Sequence, residues 1–195
     1  MEKNHQHPHS KTDKPLKIVL FGPESTGKTM LSSDLAKHYQ TTWAPEYMRE
    51  YLQKKWDDKQ EICTPEDLLP IAKGQLEAER KAIQNAHKVV FCDTNLLQLK
   101  VYSEFYYDGY CPEEIKRQVK TDHYDLYLLL DVDVPWVPDD LRDRPEHREE
   151  LFKLFEQELK QNDKPYIVIS GGYTDRFQKA IKAVDTLLKN AHEVY

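Results

Sequence analysis

Between an apolar run, "KIVLF" (17–21), and an amphipathic stretch, "KTMLSSDLAKHYQ" (28–40), the chain reads "GPESTGKT". The eight residues fit G-x-x-x-x-G-K-[ST] through Gly22, Gly27, Lys28 and Thr29, in the strand-then-helix setting that the pattern needs. Glycines let successive backbone N–H groups converge on phosphate oxygens. The lysine reaches the β and γ phosphates, the Thr29 hydroxyl ligates Mg²⁺, and the helix dipole favours the anion. The alternative is a chance glycine-rich turn. With only six glycines in the chain, such a match arises by chance on the order of one time in a hundred or less. Gly22, Pro23, Glu24, Ser25, Thr26, Gly27, Lys28, Thr29 and Met30 are therefore assigned to the phosphates of a nucleotide.

A strand entering such a loop belongs to a particular kind of fold. Further short apolar runs follow at "TTWA" (41–44), "VVFC" (89–92), "LYLLLD" (126–131) and "YIVI" (166–169), and they read as buried parallel strands. Between them, 28–40, 65–86 and 148–162 carry apolar residues at three- and four-residue spacings, as amphipathic helices do. Pro70 and Gly74 are expected to bend or break the second of these. Strands alternating with helices predict an α/β fold with helices on both faces and its active edge at the carboxyl ends of the strands. No internal repeat or domain linker is evident. Residues 1–15, "MEKNHQHPHSKTDKP", lack any hydrophobic period and read as a mobile tail. Residues 16–195 read as one domain, a size that suits a single core.

Composition narrows the class of partner. The net charge of −6 argues against nucleic acid and anionic membranes, both of which call for a concentrated positive surface. Small partners, cationic ones included, suit it better. No run approaches the roughly 18 apolar residues of a membrane span. Cys63, Cys92 and Cys111 have neither the spacing of a zinc site nor an even count for a disulfide framework. A cytoplasmic protein is the expectation.

Three further constellations bear on chemistry. "HKVVFCDTN" ends a strand in Asp93, a carboxylate placed to hold Mg²⁺ or its waters; strand-end aspartates also serve as ordinary turn residues. "PWVPDDLRDRPEHREE" (135–150) carries Arg142, Arg144 and Arg148, which as a lid would neutralise charge on a transferring phosphoryl group. The same arginines could simply pair with Asp139, Asp140, Asp143 and Glu146. In "WAPEYMREYL", Glu46 follows the second strand and could accept a proton from an attacking hydroxyl, with Arg49 one turn on; the bland reading is a surface ion pair. Tyr102, Phe105 and Tyr106 on the helix after Asp93, with Trp136 after the fourth strand, either pack a core or offer π faces to a cationic ring. No N-K-x-D element for guanine is present, since "NDKP" (162–165) has the wrong order, and no coupling region for a motor ATPase is visible.

Taken together, "GPESTGKT", "APEYMREYL", "DTNLLQLKVYSEFYYDGY", "YDLYLLLDVDVPWVPDDLRDRPEHREELF" and "PYIVISGGY" resemble the ribosylnicotinamide kinase domain of the NadR family. The likeness covers roughly residues 16–190. It implies a P-loop nucleoside/nucleotide-kinase-like fold, a five-stranded parallel sheet in the order 2-3-1-4-5 with an Arg-rich lid. It also implies ATP- and Mg²⁺-dependent phosphorylation of the 5′-hydroxyl of nicotinamide riboside. On that resemblance the loop from Gly22 to Thr29 holds ATP, Thr29 and Asp93 serve magnesium, and Arg142, Arg144 and Arg148 form the lid. Glu46, Arg49, Tyr102 and Trp136 belong to the acceptor side, and the "SGGY" loop (170–173) is a place for adenine contacts. The family's adenylyltransferase H-x-G-H element and DNA-binding segment are missing from these residues, so a stand-alone kinase is expected. The alternatives are a kinase for another nucleoside, or a regulatory ATPase that binds ATP without a metabolite acceptor.

Overall fold

The computed structural model describes residues 14–139, 141 and 145–193. The histidines of the expected N-terminal tail, and Arg142 and Arg144 of the expected lid, lie outside these residues. Five strands, β1 (Leu16–Phe21), β2 (Trp43–Ala44), β3 (Val89–Asp93), β4 (Leu126–Leu130) and β5 (Tyr166–Ile169), form one parallel sheet in the order β2-β3-β1-β4-β5. This is the order that the resemblance implies. The three central strands are buried along most or all of their length, so they carry unbroken apolar runs rather than an alternating pattern.

Seven α-helices among the described residues cover the two faces: α1 (Lys28–His38), α2 (Tyr47–Lys59), α3 (Leu68–Asn85), α4 (Leu96–Tyr106), α5 (Glu113–Thr121), α6 (Arg148–Gln161) and α7 (Tyr173–Glu193). Alternate strand residues divide the core into two layers, as a period of two requires. Ile18, Leu20, Phe91 and Leu128 pack with Leu31 and Leu35 of α1 and Ala180 and Val184 of α7. Val19, Phe21, Val90 and Leu129 pack beneath α3, α4, α5 and α6. On that second face Phe21 meets Phe155 edge-on at 4.8 Å, and Phe155 meets Tyr102 edge-on at 5.3 Å. No helix among the described residues is long and apolar enough to cross a membrane.

The sheet order reverses beside β1, whose neighbours β3 and β4 lead to opposite edges. A crevice opens at the carboxyl ends of the strands at such a point. Register then decides what stands there: Leu20 pairs with Asp93, and Phe21 with Leu129.

The expected break in the second helix is absent, because α3 runs without interruption through Pro70 and Gly74. Pro70 occupies the first turn, where a backbone N–H has no intrahelical acceptor to lose. A 3₁₀ turn over Pro65–Asp67 leads into it, held by a reciprocal cap between Thr64 and Asp67. Gly74 serves close approach. A Cβ there would lie 2.0 Å from the Tyr47 ring, so glycine lets α2 settle on α3.

Gly74→Ala is therefore expected to lower stability by about 1–3 kcal/mol through overpacking. Helix propensity alone would favour alanine by about 1 kcal/mol. Urea denaturation reads the sign, and the same substitution should cost less in a Tyr47→Ala background. A raised midpoint in the single variant would mean that the Tyr47 ring yields without cost.

Candidate active site

The phosphate loop begins where β1 meets β4. Gly22 has φ +130°, and a Cβ there would sit 2.9 Å from the Leu130 carbonyl oxygen, so both backbone and space demand glycine. Gly27, at φ +84°, caps α1 without contributing a side-chain hydrogen bond, and the first turn of α1 holds no acidic residue. The positive end of the helix dipole is thus left for an anion. Side chains grip the loop's carbonyls. Lys28 Nζ donates to the oxygens of Gly22 (2.9 Å) and Pro23 (2.7 Å), and the Thr26 hydroxyl donates to Pro23 at 2.8 Å. The Gly22 N–H donates to Gln98 Oε1 at 3.3 Å.

Asp93 closes β3 beside this loop and is fully buried. The Thr29 hydroxyl donates to its Oδ2 at 2.5 Å, while its Oδ1 is buried with no hydrogen-bond partner among the described residues. Burial raises the Asp93 carboxyl above its ordinary range, against the opposing effects of Lys28, the Thr29 hydroxyl and Arg49. The next residue, Thr94, is β-branched yet has φ +71°, a strained conformation of the kind that accompanies functional sites. Among the described residues no group of three or more His, Cys, Asp or Glu side chains could hold a metal ion. A hydroxyl and one carboxylate with an unsatisfied oxygen instead fit Mg²⁺, which takes its other ligands from phosphates and water.

A cavity of about 570 Å³ runs from the loop along α2 and α4. Glu46, the N-cap residue of α2, lines it together with Arg49, Trp56, Tyr102 and Tyr106. Tyr102 stands between the core and the cavity. Its ring packs on Phe155 in the core and lies 6.0 Å from that of Tyr106, and the residue also lines the cavity. Burial pushes its phenol well above the ordinary value, and the nearby carboxylates Glu24 and Glu46 add to the effect. Behind Glu46, Gln75 accepts the Tyr47 N–H at 3.0 Å, and its own Nε2 is buried without a partner among the described residues. Phe105 packs against the core instead.

The segment after β4 is drawn onto the phosphate loop. Trp136 Nε1 donates to Glu24 Oε1 at 3.2 Å, and the Val137 N–H donates to Ser25 Oγ at 2.9 Å. Trp136 therefore holds a loop carboxylate and is not among the described residues lining the cavity. In this structure its indole N–H is turned to the phosphate loop rather than into that cavity. Arg148 is buried, donating from Nη1 to the Val134 carbonyl (3.0 Å) and from Nη2 to that of Ser25 (3.3 Å). Arg49 reaches across the mouth to Asp139 at 2.5 Å.

A family model described as an AAA domain matches residues 17–176. The chain belongs to this AAA domain family. Two curated relatives, the trifunctional NAD biosynthesis/regulator proteins NadR of Salmonella typhimurium and Escherichia coli, are each 28% identical over 174 residues. The match covers 88% of this chain and 42% of theirs, so the chain spans less than half the length of the curated relatives it matches. Among solved structures, a NadR protein in complex with NR superimposes with a TM-score of 0.76 at 23% identity, over 90% of this chain and 52% of that one. A deoxyadenosine kinase from M. mycoides gives 0.65 at 17% identity, over 88% and 100%. The fold of this AAA domain chain is thus that of the P-loop kinases.

Within the AAA domain, several side chains at the site carry no local motif. Gln98 and Gln75 lie on helices that read as ordinary amphipathic stretches. Arg176, on α7, donates to the Thr26 carbonyl at 2.8 Å across 150 residues of chain, a contact with no signal in spacing or composition.

The Thr29 and Asp93 pair generates a metal-removal test. Chelating Mg²⁺ is expected to weaken ATP binding to the wild-type chain by about tenfold or more. Asp93→Asn should bind weakly with or without the metal. Calorimetric titration measures both, and an Asp93→Asn variant that keeps the full metal response would remove Asp93 from the cation site.

Proposed function

We propose that this chain transfers the γ-phosphoryl group of ATP to the 5′-hydroxyl of nicotinamide riboside, giving nicotinamide mononucleotide. The observation that carries the reading is the cavity itself. It joins a phosphate loop at one end to an aromatic wall at the other, with the Glu46 carboxylate on its lining. Its volume of about 570 Å³ falls within the roughly 300–1,000 Å³ of small-molecule sites. A regulatory ATPase would have no use for a second compartment beside the phosphates. The similarity to NadR proteins, one solved with NR and one with NAD and AMP-PNP, supports nicotinamide riboside over other nucleosides.

In this mechanism ATP phosphates lie over the amino end of α1, with Lys28 meeting the charge that grows as the γ-phosphoryl group leaves. Mg²⁺, when bound by Thr29 and Asp93, supplies further neutralisation of that charge. Glu46 accepts the proton of the attacking hydroxyl, and Arg49 orients the acceptor side of the cleft. The arginines of the 135–150 segment act as a lid: Arg148 holds the loop through the Ser25 carbonyl, and Arg142 and Arg144 neutralise charge on the transferring phosphoryl group. With Trp136 engaged on Glu24, the pyridinium of the acceptor is met by Tyr102, Tyr106 and Trp56. A π face turned to the cation attracts it by roughly 0.5–2 kcal/mol.

Incubation with ATP and a panel of nicotinamide riboside, uridine and deoxyadenosine tests the reaction directly. Nicotinamide mononucleotide is the expected main product, and an untouched panel would sink the reading. Glu46→Gln should lower kcat by about 10²-fold or more with little change in KM, as loss of a general base does. A change confined to KM would make Glu46 a binding residue. Tyr106→Ala should raise KM for nicotinamide riboside by about twofold to thirtyfold while sparing KM for ATP. A preference over uridine that stays at its wild-type value would assign Tyr106 to packing.

A further inference from the structure

Arg176 is 3% exposed, while its acidic partner among the described residues, Asp133, has a side chain 37% exposed. Four acceptors surround its guanidinium. Nε donates to the Gly171 carbonyl at 2.8 Å and Nη1 to the Thr26 carbonyl at 2.8 Å. Nη2 donates to the Asp131 carbonyl at 3.0 Å and to Asp133 Oδ1. One planar group thus joins the phosphate loop, the end of β4 and the turn between β5 and α7. Asp133 completes the join by accepting the Gly171 N–H on Oδ2 at 2.6 Å.

Peptide geometry gives these bonds a direction. The chain contains no cis peptide bond among the described residues, and in a planar trans peptide the C=O and N–H point to opposite sides. With the Thr26 carbonyl turned onto Arg176, the Gly27 N–H is turned the other way, and Gly27 lines the cavity. The same holds for the Gly171–Gly172 peptide, whose carbonyl also faces Arg176. Gly171 has φ +100° and the Arg176 N–H donates to the Gly172 oxygen at 3.0 Å, so that turn is held from two sides.

We propose that Arg176 is a positioning residue for the nucleotide donor, aiming the Gly27 amide at phosphate and locking the Gly171–Gly172 turn to the phosphate loop as one rigid unit. The proposal rests on the phosphate loop binding a nucleoside triphosphate and deepens that part of the proposed function. Lysine cannot replace this residue. Its three donors radiate from a single atom, whereas the four acceptors surround an extended planar fork.

The test is calorimetric titration of a non-hydrolysable ATP analogue with Mg²⁺, at a temperature where thermal scans show each variant fully folded. No acceptor nucleoside is present, so the result is independent of the panel assay above. Arg176→Met and Arg176→Lys are each expected to weaken analogue binding by about tenfold or more. Asp133→Asn, whose carboxylate is 37% exposed and tolerates solvation, should weaken it severalfold. Wild-type affinity in folded Arg176 variants would overturn the proposal and make the residue a stabilising brace only. Should the Arg176 variants fail to fold, Asp133→Asn decides: unchanged analogue affinity in that folded variant overturns the proposal as well.

Discussion

The hydrogen bond from Thr29 to Asp93 joins residues separated by 64 positions of chain, and the site depends on that meeting. It requires β1 and β3 to be neighbours, in a register that ends both strands at the same height. It also requires α1 to start at once after the loop, so that the first helical turn carries Thr29 over the end of β3. A slip of one residue in β3 would turn Asp93 to the other face of the sheet. The buried side chains on both faces of β3 prevent such a slip, because each would lose its layer of the core.

The opposite end of the sheet shows what a buried carboxylate looks like when it is fully occupied. Glu79 accepts the Tyr124 hydroxyl on both oxygens, at 3.0 and 2.9 Å, and lies 3.3 Å from Lys17 Nζ. Lys17 in turn sits 4.0 Å from the centre of the Tyr124 ring. Burial raises the Glu79 carboxyl, and Lys17 and Tyr124 work against that rise. Asp93 is buried just as deeply, yet keeps one oxygen unsatisfied. The contrast separates a carboxylate engaged on both oxygens from one that, among the described residues, is engaged on a single oxygen beside the phosphate loop.

Much of this arrangement was legible in the chain. The phosphate loop was, because its glycines meet steric demands that no other residue meets. The three central strands were, because burial on both faces leaves unbroken apolar runs. The helix over Leu68–Asn85 was misjudged at Pro70 and Gly74, since residue type alone does not say that the proline falls in the first turn or that the glycine faces Tyr47. Helix α5 passed unread: few of its residues are buried, Ile115 and Val119 alone. The partner of Trp136 and the whole role of Arg176 escaped for a different reason. Their partners lie 112 and 150 residues away, and nothing local marks a side-chain donor whose acceptor, the Glu24 carboxylate or the Thr26 carbonyl, stands so far along the chain.

The loop pattern fixes four letters and leaves four open. In this chain two of the open letters, Glu24 and Ser25, are the ones that grip the segment after β4. The fixed letters are shared by any chain that cradles phosphate in this way; the open ones are where a particular protein writes its own wiring. Transplanting "GPESTGKT" into another scaffold would carry over the cradle but leave those two side chains with nothing to hold. The converse also follows. Swapping Glu24 and Ser25 for residues from another chain would preserve the recognisable signature while severing the connection between the loop and what covers it, so the motif by itself is a poor guide to how such proteins differ.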